Sequence, residues 1–134
     1  MRASETRDVV RGLTLDTGAL IALERGSAKI RALLSRATEN QIALAVPAGV
    51  VAQAWRGGPR QARVARLLGD PKVHVVPLDD TTARAVGLLC GRSGHPDVVD
   101  VHVVLHAREH DHTVVTSDPD DLWAVDPGLA LVVV

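Results

Sequence analysis

Residues 9–18 read VVRGLTLDTG, and this stretch decides the fold. Residues 9–15 are mostly apolar and β-branched, with no clean alternation of polar and apolar positions. That pattern marks a strand buried on both faces. The run stops at Asp16-Thr17-Gly18, and ALIALERG at 19–26 begins a helix. A buried strand feeding a helix through an acidic turn is the opening half of a βαβ unit.

The rest of the chain repeats the alternation. Ser27 is placed to cap a second helix with Ile30, Leu33, Leu34 and Ala37 on one face. Residues 42–46 form the next strand, and Pro47 suits the first position of the helix AGVVAQAWR. Gly57-Gly58-Pro59 breaks that helix before another, with Val64, Leu67 and Leu68 inward. A strand at 73–78 precedes TTARAVGLLCGR, a helix capped by Asp79 or Asp80. Residues 93–96 are a loop, DVVDVHVVLHAREH at 97–110 is a helix, and 113–116 a strand. Asp118 opens one further helical turn, and LALVVV closes the chain as a last strand. With right-handed crossovers, this order predicts an α/β fold, a three-layer α/β/α sandwich around a mostly parallel sheet. No repeat or linker interrupts it, so residues 1–134 are expected to form one domain, with 1–8 frayed.

Composition narrows the function. The 134 residues are 46% hydrophobic and 23% charged, as in a folded globular chain. No apolar run reaches bilayer length and no signal-like stretch opens the chain, so no membrane role and a cytoplasmic location are expected. Net charge is −1, which excludes a strongly basic nucleic-acid glove but not a local basic patch. The absence of Phe and Tyr excludes an aromatic stacking platform for RNA bases. A lone cysteine, Cys90, builds neither an internal disulfide nor a thiolate metal site.

Ligands of open α/β sheets bind beyond the carboxyl ends of the strands, where the strand order reverses. Asp16 ends the first strand, Asp118 follows the fourth, and Asp100 lies in the first turns of the helix leading into the fourth. Clustered carboxylates repel one another unless a cation neutralises them. An all-oxygen set points to Mg²⁺ or Mn²⁺, ions that serve phosphoryl chemistry. Taken singly, each aspartate reads first as structural, Asp118 as an N-cap and Asp97 as a first-turn acid; the joint pattern is what points to a site.

Four stretches around these acids, LDTGALIALERG, VPAGVVAQAWRGG, DVVDVHVVLHA and VVTSDPDDL, resemble a PIN domain, and more narrowly a VapC-type toxin of bacterial toxin–antitoxin pairs. The resemblance runs from Leu13 to Val134. It implies a Mg²⁺- or Mn²⁺-dependent endoribonuclease toxin that hydrolyses RNA, forms a homodimer and is neutralised by a cognate antitoxin. It assigns catalytic and metal-binding roles to Asp16, Asp100 and Asp118. Asp97, one turn before Asp100, is a supporting ligand on the same reading, or simply a helix-start residue. Thr17 and Thr116 are placed to hold the carboxylates. The departure is Gln53, which stands where the family carries a second acid and offers a carbonyl oxygen without charge. That keeps an alternative open, a degenerate PIN domain that binds RNA or protein without cutting.

Other features have plainer readings beside functional ones. Arg56, Arg60, Arg63 and Arg66 recur at helical spacing and form a solvated face, a surface for an antitoxin carboxylate, or a grip on RNA phosphates beside the site, with Arg56 and Arg60 the RNA-binding candidates. Glu24 is expected to pair with an arginine. His102, His106 and His110 are spaced i, i+4, i+8, a spacing at which two of them could bind a transition metal, but they are expected on a solvent or dimer face, away from Asp100; His74 and His112 carry no signal. Cys90 is expected to be a buried small hydrophobe, and Trp55 and Trp123 to be packing or interface residues. A receiver domain would need paired acids after the first strand and a late lysine, but the only lysines are Lys29 and Lys72. A haloacid-dehalogenase-like phosphatase would need an acid where Gly18 stands.

Overall fold

The computed structural model describes residues 10–134, so the expectation for residues 1–8 lies outside the described residues. The elements are β1 (Gly12–Leu15), α1 (Thr17–Glu24), α2 (Ala28–Glu39), β2 (Ala43–Pro47), α3 (Ala48–Ala54), a 3₁₀ turn (Pro59–Gln61), α4 (Ala62–Gly69), β3 (Val73–Val76), α5 (Asp80–Ser93), α6 (Val98–His110), β4 (Thr113–Thr116), α7 (Pro119–Val125) and β5 (Leu131–Val133). The sheet order is β3-β2-β1-β4-β5, and every pairing is parallel. Among the described residues no helix is long and apolar enough to cross a membrane.

The order explains the layers. The chain steps outward from β1 through β2 to β3, returns across the sheet to β4, and steps out again to β5. Right-handed crossovers then put α1–α4 on one face and α5–α7 on the other. The contacts agree: α1 packs against α3 and α4, and α6 against α5 and α7. The reversal falls between β1 and β4, whose register pairs Leu13 with Thr113 and Leu15 with Val115.

Leu13 and Leu15 of β1, Val114 and Val115 of β4, and Leu44 and Val46 of β2 are all buried, as expected for central parallel strands. Leu20, Ile30, Val50, Val64, Val103, Val104 and Leu122 cover them from the two helical layers. Each such side chain contributes about 1.5–3 kcal/mol by leaving water. The strands are shorter than the sequence predicts. Val10 is exposed and precedes β1, β3 stops at Val76, and β5 spans only Leu131–Val133. At the first two ends the neighbouring strand stops supplying a ladder, since β2 begins opposite Gly12 and ends opposite Val76; at β5 single backbone bonds, from the Val114 N–H to the Ala130 carbonyl and from the Val134 N–H to the Thr116 carbonyl, flank the short strand.

Several local expectations change. Pro47 closes β2 and takes the extended position before α3 (φ −60, ψ 143) rather than the first helical one. Ser27 stands at the start of α2 but makes no side-chain cap bond. Asp79 caps α5 by accepting from the Thr82 N–H at 2.8 Å, while Asp80 pairs with Arg84 at 3.1 Å. Cys90 is only partly buried.

Candidate metal centre

The reversal between β1 and β4 brings three helix starts to one rim. Asp16 leaves β1 and caps α1, its Oδ1 accepting from the Ala19 N–H at 2.9 Å. Asp118 leaves β4 at the start of α7 without making a side-chain cap bond. Asp97 caps α6, its Oδ1 accepting from Val99 (2.9 Å) and Asp100 (3.2 Å). Asp100 then sits in the first turn of α6. Two glycines let these starts approach. A Cβ on Gly18 would run into the Ser117 hydroxyl and lie 3.2 Å from the Ser117 backbone nitrogen. A Cβ on Gly49, in α3, would lie 3.0 Å from Val99 of α6.

Thr116 ties the centre together. Its buried hydroxyl accepts from the Asp118 N–H at 2.9 Å and donates toward the Asp16 carboxylate. The electrostatics record the crowding. Burial raises the Asp16 carboxyl above its ordinary value, the bonds from Thr116 and Ala19 oppose this, and the charges of Asp100 and Asp118 raise it further. Burial also raises Asp100, against a hydrogen bond from His95; Asp97 and Asp121 add to the rise. Asp121 is raised because it shares a hydrogen bond with Asp118 and feels its charge.

The donor chemistry suits a hard divalent cation: all-oxygen ligands whose mutual repulsion a cation would relieve. Among the described residues, however, no three His, Cys, Asp or Glu side chains stand within reach of one ion as they are now turned. Closure therefore needs side-chain rotation. Asp118, with no cap bond to give up, is the freest to make it.

The remaining predicted residues divide. Gln53 does reach this end of the molecule, but its Oε1 accepts from Thr17 at 2.5 Å, so Thr17 holds Gln53 and not a carboxylate. The reason is that Thr17, at the first position of α1, faces α3. The arginines do not share one helix, because α3 ends at Ala54 and Gly57 and Gly58 take positive φ (78 and 90). Arg56 donates to the Ala52 and Trp55 carbonyls at 3.1 and 2.7 Å, closing off the end of α3. Arg56, Arg60 and Arg25 nevertheless line one groove with Gln53, about 340 Å³ in volume. Glu24 meets the Gln61 amide at 2.6 Å instead of an arginine, and Gln61 also bonds the backbone of Ala54, Arg56 and Gly57. His102 and His106 are buried, not on a solvent face, because α6 is covered on that side by α5 and the sheet edge. Trp123 is half-exposed and donates to the Leu129 carbonyl at 3.2 Å, and Trp55 is likewise half-exposed.

Two site residues escape the sequence reading. His95 lies 3.2 Å from Asp100 Oδ2 through its Nε2, and both side chains are largely covered. Asp121 joins Asp118 from one turn along α7. Their only sequence signal is position: His95 stands five residues before Asp100, and Asp121 three after Asp118.

A family model described as the PIN domain matches residues 13–126. No curated protein matches the chain. Among solved structures, it is similar to one of FitAB bound to an IR36 DNA fragment, with a TM-score of 0.60 and 16% identity over 90% of this chain and 93% of that one. It is also similar to FitAcB from Neisseria gonorrhoeae, with a TM-score of 0.59 and 20% identity over 89% of this chain and 95% of that one. Identities this low show the shared fold, whereas the family match spans most of the sheet and every acid of the rim; the chain belongs to the PIN domain family.

Proposed function

We propose that this chain is a Mg²⁺- or Mn²⁺-dependent endoribonuclease toxin, a single PIN domain that works as a homodimer and is held in check by a cognate antitoxin. The observation that carries the reading is the buried Asp16 carboxylate at the strand-order reversal, raised first by its burial and further by the charges of Asp100 and Asp118. PIN domains are generally metal-dependent nucleases, and one similar structure has FitAB bound to a DNA fragment.

Asp16, Asp100 and Asp118 would hold the ion, with Asp97 and Asp121 adding negative charge beside them. Bound there, a hard divalent cation supplies Lewis-acid polarisation of a phosphate and lowers the pKa of a water. The protein's own part is positional. Thr116 fixes Asp16 relative to the start of α7 through one hydroxyl. His95 fixes the Asp100 carboxylate from outside the helix. Arg56 and Arg60 border the groove that leads to Gln53, where a phosphate backbone would lie.

A second reading has a specific observation behind it. Gln53 brings no charge and spends its carbonyl on Thr17, which favours a domain that binds RNA without cutting it. Untagged protein incubated with structured RNA and Mn²⁺, beside Asp16→Asn and Asp118→Ala, separates the two. Losing a direct ligand is expected to cost more than the roughly hundredfold of losing a ligand's hydrogen-bond partner. Equal cleavage by all three proteins refutes the nuclease assignment, and RNA retention without cleavage by any of them establishes the binder.

A further inference from the structure

We propose that His74, His102, His106 and His110 form a second metal site, selective for an imidazole-preferring transition-metal ion such as Zn²⁺ and separate from the acidic rim. Most of the chain's 6 histidines gather at one place. His102, His106 and His110 line one stripe of α6, and His74 faces them from the edge strand β3. Together with Thr82 of α5 and Glu109 they line a cavity of about 180 Å³.

The inner wall of the cavity is unsatisfied. His102 is 2% exposed, and neither of its ring nitrogens has a hydrogen-bond partner. An imidazole carries a donor or acceptor on each nitrogen, and leaving a buried one unpaired costs its desolvation with nothing in return. His106, 6% exposed, is the hub. Its ring stacks on His110 at 4.0 Å and meets His112 edge-on at 5.5 Å. Burial, then the charges of His110, His112, His102 and His74, pushes His106 down to about 4, so it stays neutral, the form that ligates metal.

The outer wall can move. His74 and His110 are exposed at the mouth. His110 Nδ1 is bonded to the His106 carbonyl at 3.0 Å, which leaves Nε2 free. Among the described residues no three of these rings already share one coordination sphere, so binding draws the two exposed rings inward onto the two buried ones. The result is a nitrogen set of the kind that suits tetrahedral Zn²⁺ and gives Mg²⁺ no preferred ligand. The ion would clamp β3 to α6. The proposal does not depend on nuclease activity.

The test uses the untagged full chain carrying Asp16→Asn, which disables the acidic rim. Titrated with Co²⁺, it is expected to develop the visible spectrum of a tetrahedral nitrogen site at one ion per chain, displaced by one equivalent of Zn²⁺ and unaffected by Mg²⁺. His74→Gln and His106→Gln should each weaken Zn²⁺ binding at least ten- to hundredfold. His74 is exposed, so its variant should keep the parent's circular dichroism and decide the matter even where His106→Gln fails to fold. An octahedral spectrum, or Zn²⁺ affinity unchanged by His74→Gln, overturns the proposal.

Discussion

Replacing Asp16 by Asn should make the metal-free protein more stable at neutral pH. Asn keeps the side-chain oxygen that caps α1 through Ala19, so the perturbation removes the charge and one of the two acceptor oxygens. Two effects oppose each other. The ionised carboxylate strengthens its bonds from Ala19 and Thr116, and a charged hydrogen bond is worth about 1 kcal/mol more than a neutral one. Against this stand burial of the charge and repulsion from Asp100 and Asp118, and these dominate, because the carboxyl is raised above its ordinary 3.8. A raised carboxyl contributes stability that is fully present below the unfolded value and is lost as pH rises through the folded one. The wild type therefore carries a penalty at pH 7 that Asn lacks. Its size is about 1 kcal/mol, typical of a substitution at a buried polar site, or roughly 3–5 °C in Tm for a chain of this length. Thermal unfolding by circular dichroism in a chelator, at pH 7 and again near pH 3, measures it. The gain should be present at pH 7 and vanish in acid, and saturating Mn²⁺ should stabilise wild type more than the variant. Asp16→Asn less stable than wild type at pH 7, or a difference that ignores pH, would refute the electrostatic account of the rim.

Gly18→Ala should destabilise by about 2 kcal/mol or more, although alanine normally helps a helix, because its Cβ meets Ser117; Ser117→Gly should restore most of the loss in denaturant unfolding. Gln53→Glu should tighten Mn²⁺ binding, and calorimetry giving equal affinities would place residue 53 outside the metal's reach. Asp97→Ala should cost about 1 kcal/mol by uncapping α6 and should weaken Mn²⁺ binding through the displaced Asp100, whereas Asp97→Asn keeps the cap and should preserve stability.

The sheet was legible because its signal is redundant. The strands at 12–15, 43–47 and 113–116 are mostly apolar, interrupted only by Thr14, Thr113 and Thr116, each is followed by a helix start, and right-handedness leaves few ways to connect them. Asp16, Asp100 and Asp118 were legible for the same reason, since strand ends and helix starts locate them without side-chain detail. What escaped depends on pairwise geometry that no periodicity encodes. The i, i+4, i+8 histidines describe a stripe on α6, but whether α5 and β3 cover that stripe is decided by the sheet order. His95 sits in a loop with no period, so its bond to Asp100 has no signature along the chain. Glu24 meets Gln61 across 37 positions, a contact set by how α1 and the 3₁₀ turn pack.

The cap reading and the ligand reading of the aspartates are not rivals, and the structure separates them oxygen by oxygen. Three helices, α1, α6 and α7, begin at the rim, and their positive ends offset part of the repulsion among the acids. Asp97 spends Oδ1 on two backbone N–H groups, which makes it mainly a cap. Asp16 commits one oxygen to Ala19 and receives Thr116, so it holds a fixed direction at the centre of the rim. Asp118 makes no side-chain cap bond, so it can turn toward a cation without uncapping α7. On this division Asp118→Asn should lower Mn²⁺ affinity while leaving metal-free Tm nearly unchanged. Asp97→Ala should do the reverse in proportion, with its main loss in Tm. Parallel calorimetry and thermal melts on the two variants distinguish the roles, and a large metal-free Tm loss for Asp118→Asn would show that its carboxylate is structural after all.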